Sequence, residues 1–265
     1  MSDNDLVLYE VNKKVATLVM NRPPVHAFNL DLLKALYEKL LMADEDNKVK
    51  ILVIKSTGSK AFSAGMDMKM LSDPANLTPE YMGEVLRHNI EIVKKMVMMK
   101  KPIITIVQGT AIGFGMMVIM GSDLRIFAER PFPEAFFQMP EMALSLYPRA
   151  LCMFLILRNF GLTVGKNILL SSDKFGLDLF KNINFPARVF AWDENFEKNC
   201  DEYVNKIAKY KESNMFLVKS TMTLIHNKYL ERWLELEEES YGVASRKRPG
   251  KKWDEFIQHL FDKYP

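Results

Sequence analysis

Two apolar, β-branched runs, Ile51-Leu52-Val53-Ile54-Lys55 and Ile103-Ile104-Thr105-Ile106-Val107, constrain the fold more than any other feature of this chain. Runs of this length without polar alternation read as strands buried on both faces. Each follows a helical pattern. Residues 28–43 carry Leu30, Leu32, Leu33, Leu36, Leu40 and Leu41 at helical spacing, with Asn29 or Asp31 as cap. Residues 79–99 place Met82, Val85, Ile90, Val93 and Val97 on one face and end in Lys100-Lys101, which suits a helix C-terminus. Before them, residues 6–11 and 14–20 are strand-like around Asn12-Lys13 and predict a hairpin. The unit is strand, strand, helix, strand, and the fold class is α/β.

The character changes along the chain. Leu124–Ala128 and Phe136-Phe137 predict short strands separated by Pro131-Phe132-Pro133, and residues 186–190 a last one. Residues 151–160, 163–170, 195–210, 213–239 and 251–262 read as helices. Strands early and helices late predict an α/β core over residues 1–192 and a helical region over residues 193–265, with no flexible linker between them.

Composition narrows the function classes. A net charge of +3 over 265 residues is too small for a dedicated nucleic-acid binder. Two cysteines, Cys152 and Cys200, suit a reducing compartment and form no disulfide framework. The N-terminal MSDNDLVLYE has neither a basic n-region nor an apolar h-region, so a cytoplasmic location is expected. No uncharged apolar run approaches membrane-spanning length, so no membrane partner is expected. His26, His88, His226 and His259 lack metal-ligand spacing, and no metal is expected. There is no Walker motif and no dinucleotide-type glycine fingerprint.

Three stretches carry candidate chemistry. Residues 61–71, AFSAGMDMKML, form a small-residue loop after the first buried run. There Gly65 can take a positive φ and leave the N–H of Met66 aimed outward. The same residues also suit an ordinary turn. Gly109-Thr110-Ala111-Ile112-Gly113-Phe114-Gly115 leads from the second run into an apolar helix, so Phe114 offers an N–H at a helix N-terminus. Glu141 follows a short strand amid Met139, Met142, Leu144 and Leu146, surroundings that would disfavour its ionised form and suit a general base. A helix cap or an ion-pair partner is the other reading of Glu141.

In this order, these stretches resemble the crotonase family of enoyl-CoA hydratases and isomerases over nearly the whole chain. Residues 61–71 look like that family's first oxyanion loop and residues 109–123 like its second. Pro140-Glu141 followed by Leu144 and Tyr147-Pro148 resembles the catalytic-glutamate segment, with residues 158–161 matching beyond it. The resemblance implies a spiral of repeated ββα units, a C-terminal helical trimerisation region, and a homotrimer or dimer of trimers. It implies an acyl-CoA thioester as substrate, with coenzyme A part of the substrate and no separate cofactor. Met66 and Phe114 would supply oxyanion N–H groups, Glu141 the catalytic carboxylate, and Ala64, Asp67 and Met68 would flank the adenine end. Gly65, Gly113 and Met117 would also bind the substrate, and Lys251 and Lys252, in the basic stretch 246–252, would meet CoA phosphates.

The departures matter equally. Met117 stands where hydratases of the family carry a second glutamate, Phe114 replaces the middle glycine and would intrude on the pocket, and Arg149 replaces a glycine after Pro148. One carboxylate suffices to move a proton from C2 to C4, so isomerisation of a 3-enoyl-CoA to a 2-enoyl-CoA is the expected reaction. Hydration by Glu141 alone or with Glu134 as second acid, thioester hydrolysis, decarboxylation and a silent acyl-CoA-binding homologue are the alternatives. Phe114, Met116, Met117, Phe136 and Phe137 are expected to form a bulky apolar lining.

Overall fold

The computed structural model describes residues 5–227, 229–244, 258, 259, 262 and 263. The hairpin is β1 (Val7–Asn12) and β2 (Val15–Met20), closed by a two-residue turn in which Lys13 and Lys14 have φ of 47° and 71°. The mirror-image turn matches the twist of the strands. Helix α1 (Leu30–Glu45) starts at Asn29, whose side chain accepts the Leu32 N–H at 3.0 Å. Leu32, Leu33, Leu36 and Leu40 are fully buried along one face of it. Asn29→Ala should lower stability by about 1 kcal/mol, read from the urea midpoint, because the Leu32 N–H then loses its acceptor. An unchanged midpoint would mean that Asp31 takes over the cap.

Three strand pairs follow. The strands β3 (Ile51–Ser56) and β4 (Ala61–Ser63) lead into α2 (Met68–Ser72) and α3 (Pro79–Met98). Then β5 (Ile103–Val107) and β6 (Thr110–Ile112) lead into α4 (Phe114–Gly121). Finally β7 (Leu124–Glu129) and β8 (Phe137–Gln138) lead into α5 (Cys152–Ser171). The first strand of each pair joins one sheet and the second joins another. The large sheet runs β1-β2-β3-β5-β7-β9 and is parallel from β2 onward, whereas β4-β6-β8 form a small parallel sheet. This is the expected ββα repeat.

Helix α6 (Leu177–Asn182), β9 (Arg188–Ala191) and helices α7 (Phe196–Ala208), α8 (Glu212–Asn227) and α9 (Leu230–Ala244) complete the described chain. The two faces of the large sheet are both covered, as the unbroken apolar runs require. Leu52, Ile54 and Ile103 face the core built with α1, α3, α4 and α5, while Ile51, Val53, Ile104 and Ile106 meet Phe196, Cys200 and Val204 of α7.

Several expectations need correction. The single helix expected over residues 213–239 is two, α8 and α9. The two expected over 151–170 are one helix with a break at Gly161, where φ is 67° and ψ is −177°. The loop expected at 61–71 begins as β4 and ends as α2, both too short to show a period. By length and composition α5 could cross a membrane. It carries Arg158 and Lys166, however, breaks at Gly161, and buries Phe154, Leu155 and Ile156, as a core helix does. The basic stretch 246–252, including Lys251 and Lys252, and all of the helix expected at 251–262 but three residues lie outside the described residues.

Candidate active site

The small parallel sheet places the three candidate stretches. Because β4, β6 and β8 run the same way, Ala64–Asp67, Gly113–Gly115 and Met139–Glu141 all leave from the same sheet end. The carboxyl end of parallel strands is where α/β folds bind ligands.

The first loop is held tightly. Phe28 donates its N–H to the Gly65 carbonyl at 2.7 Å and accepts the Asp67 N–H at 2.9 Å. This bridge leaves out the N–H of Met66. Ser63 Oγ donates to the His26 carbonyl at 2.7 Å and accepts the Gly65 N–H at 3.2 Å. His26 itself is 1% exposed, has φ of 48°, and its Nε2 meets the Thr57 carbonyl at 2.7 Å. Burial pushes its imidazole below the ordinary histidine range, so it is held neutral. Sequence reading left His26 and Ser63 out of the site. The Ser in AFSAG is the available signal, since a buried hydroxyl beside a tight turn needs partners.

Gly65 has φ of 79°, and a Cβ there would lie 2.5 Å from the Ile112 carbonyl oxygen and 3.4 Å from Phe114 N. The two loops therefore abut backbone to backbone. Gly113, with φ of 50°, donates its N–H to the Gln138 carbonyl at 2.9 Å and precedes α4, whose first N–H groups, Phe114's among them, have no intrahelical acceptor. Met66 and Phe114 thus present N–H groups along one seam. The Phe114 ring does not intrude on the seam as expected: it is 3% exposed and meets Phe28 edge-on at 4.9 Å. That packing fastens the second turn to the residue that also pins the first.

Glu141 lies across from Gly113, where a Cβ would sit 3.3 Å from Glu141 Oε1. Its other oxygen, Oε2, is buried with no protein partner. Burial pushes the Glu141 carboxyl above the usual carboxylate range, and its own N–H only partly offsets this. The apolar surroundings are not those expected. Met142, Leu144 and Leu146 are about half exposed. The neighbours of Glu141 are instead the buried Cys152, which the Glu141 charge acts on, and the close backbone of the Gly113 turn.

The other candidates divide. Met117 is buried on α4. Met68 is exposed, and Ala64 donates its N–H to the Val25 carbonyl at 2.9 Å. The Asp67 side chain is already engaged. It pairs with Arg22 at 2.6 Å and caps α2 through the Lys69 N–H at 3.0 Å. Burial pushes its carboxyl up, but Arg22 and the N–H groups pull it below the usual range. Glu134 is held by Arg130 and half exposed. Phe137 belongs to an aromatic core with Phe127 and Phe180, not to a lining, while Phe136 lies under Lys174. Asn89 was also missed: its Nδ2 reaches Met66 Sδ at 3.7 Å, while its Oδ1 is buried without a partner. Among the described residues no group of His, Cys, Asp or Glu could hold a metal.

A spiral of ββα repeats with its site at the ends of the small sheet is the crotonase-like fold. An enoyl-CoA hydratase from Bacillus halodurans shares it, with a TM-score of 0.82 at 17% identity over 94% of this chain and 99% of that one. The family model described as enoyl-CoA hydratase/isomerase matches residues 10–252, and this chain belongs to that family, the crotonase superfamily of acyl-CoA enzymes. The 1,2-epoxyphenylacetyl-CoA isomerase of Escherichia coli is 25% identical over 91% of both chains. The crotonyl-CoA hydratase of Syntrophomonas wolfei is 28% identical over 90% of this chain and 89% of that protein. The mitochondrial 3-hydroxyisobutyryl-CoA hydrolase of Bos taurus is 28% identical over 54% of this chain but only 36% of its own length.

Proposed function

We propose that this site isomerises a 3-enoyl-CoA to a 2-enoyl-CoA. Glu141 takes the proton from C2, and the electron pair of that C–H bond flows onto the thioester oxygen. The enolate oxygen accepts the N–H groups of Met66 and Phe114. Glu141 then returns its proton at C4, the C3–C4 double bond moves to C2–C3, and atoms and charge balance. The observation that carries this reading is a single buried carboxylate, with one oxygen unpartnered, facing the Gly113 turn at a seam of two open N–H groups. Each such donor is worth about 3 kcal/mol when aimed at developing charge. With Met117 in the second acid's place, one carboxylate must serve both proton transfers.

The same reading has Ala64, Asp67 and Met68 near the adenine end and Lys251 and Lys252 at the CoA phosphates, with coenzyme A as part of the substrate. It includes a homotrimer, supported by exposed Leu217, Val218, Met222 and Leu224 on α8, and a cytoplasmic setting.

The test is incubation of the protein with a 3-enoyl-CoA, with mass spectrometry and the absorbance of the conjugated thioester as readouts. A conjugated product of unchanged mass is expected. A hydrated product, free acid or no product would overturn isomerisation. Water addition is the second reading, favoured by the likeness to a crotonyl-CoA hydratase. The pH profile adds a further expectation. A base must be ionised, so kcat/KM should rise with pH and level off, with its midpoint above the ordinary carboxylate range because burial raises Glu141. A midpoint at or below that range would contradict the assignment.

A further inference from the structure

The chain between Glu141 and α5 makes an unusual turn. Ala150 and Leu151 are consecutive non-glycine residues at φ of 61° and 66°, and both are buried. Such conformations cost about 1 kcal/mol or more each and persist only where the surroundings enforce them. The enforcement comes from α9.

Glu237 of α9 is 3% exposed, and its Oε2 accepts the Leu151 N–H at 2.8 Å. The Met153 N–H also donates to this carboxylate, so the start of α5, which has no cap of its own, is capped from another helix. One residue on, Glu238 pairs with Arg149, whose guanidinium lies 4.0 Å from the Tyr241 ring centre. Ser240 bonds Tyr147, and the Tyr147 and Tyr241 rings are 6.4 Å apart. Residues 237, 238, 240 and 241 thus grip residues 147–153 from one side.

The gripped segment reaches the site. Cys152, the first residue of α5, is fully buried, and both Glu141 and Glu237 push its thiol up after burial itself. The turn links the two glutamates: Glu237 holds the N–H groups of Leu151 and Met153, and Cys152 between them is acted on by both carboxylates.

We propose that Glu237 is a positioning residue: from α9 it holds the Tyr147–Met153 turn in its left-handed form and thereby holds Glu141 against the Gly113 turn. This rests on Glu141 being the catalytic base. The device makes the C-terminal helix a working part of the site. The desolvation of Glu237 fits an internal anchor, since burial pushes its carboxyl up to about 7 even though Leu151, Met153 and Arg149 all favour the ionised form and only Glu238 opposes it. Its Oε1 is buried without a partner, a cost a surface cap would not carry. Elsewhere on α9, Glu231 pairs with Lys94 of α3 at 2.5 Å, and Glu239 pairs with Lys263 and faces His259 Nε2 at 3.5 Å.

The experiment compares the full chain with Glu237→Gln and Glu237→Ala by amide hydrogen exchange of the 147–153 segment and by turnover of a 3-enoyl-CoA. Glu237→Ala orphans two buried N–H groups, so exchange there should quicken about tenfold and kcat fall about tenfold, with KM within about twofold. Glu237→Gln keeps an acceptor oxygen and should restore both most of the way. Should Glu237→Ala not fold, Arg149→Met on the half-buried rim reads the same grip with smaller changes. Unchanged exchange, or quickened exchange with unchanged kcat, would overturn the proposal. Glu141→Gln separates the two ideas. It should lower kcat about 10³-fold without altering exchange at 147–153. If it keeps turnover, the base assignment fails while the grip is still judged by the response to Glu237→Ala.

Discussion

Glu141→Gln should lower kcat for 3-enoyl-CoA isomerisation by about 10³-fold while KM changes by less than about threefold. Gln has the size and shape of Glu but cannot take a proton from carbon. Glu141 Oε2 has no protein donor to lose, so the exchange leaves the surroundings intact. No other described carboxylate touches the seam: Asp67 is bound to Arg22 and Glu134 to Arg130. The loss therefore has no nearby substitute to soften it. A variant that retains more than about a tenth of the wild-type kcat would remove Glu141 from the role of base, since general-base contributions run from about 10² upward.

Gly65→Ala should be nearly as damaging for a different reason. The Cβ would lie 2.5 Å from the Ile112 carbonyl oxygen, and that neighbour is backbone held between β6 and the Gly113 turn, so the first loop must give way. Moving it carries the Met66 N–H off the seam, and loss of one oxyanion donor costs about 10² to 10³ in kcat. A stability loss of about 1 to 3 kcal/mol should accompany it, from the φ of 79° and the clash together. Gly58→Ala is the control. Its φ is 69°, but a Cβ there would meet nothing within 4 Å, so it bears only the conformational cost and should keep full turnover. Equal kcat values for the two variants would show that the seam between the loops does not set the reaction.

How much of this was legible in the sequence depends on whether a feature repeats locally. The buried runs at 51–55 and 103–107 and the leucine stripe of α1 carry a period, and they became β3, β5 and α1. The strands β4, β6 and β8 have three, three and two residues and no period, yet their pairing is what gathers Met66, Phe114 and Glu141. That gathering followed from the order of motifs and not from any one of them. The neighbours of Glu141 were misjudged because Met142, Leu144 and Leu146 are adjacent in sequence but turn outward in a tight turn, where Leu146 N–H reaches back to the Glu141 carbonyl at 2.8 Å. Phe114 was placed in the pocket because a large ring at a glycine position has to go somewhere, and Phe28, far away in sequence, receives it.

Glu237 could have been noticed. Leu230, Trp233, Leu234, Glu237 and Tyr241 follow helical spacing, and a carboxylate within an apolar stripe asks for a partner. What the sequence could not supply was the partner, the backbone of Leu151, since main-chain N–H groups leave no mark in the residue order.

The proposed reaction rests on a thioester enolate made by Glu141 and held by the Met66 and Phe114 N–H groups. Deuterium exchange at C2 of a saturated acyl-CoA in heavy water tests it most directly, because it reads enolate formation whatever reaction follows. Wash-in of deuterium at C2 is expected with wild-type protein, and its loss in Glu141→Gln and Gly65→Ala. Bound acyl-CoA with no exchange, or exchange indifferent to Glu141, would contradict it.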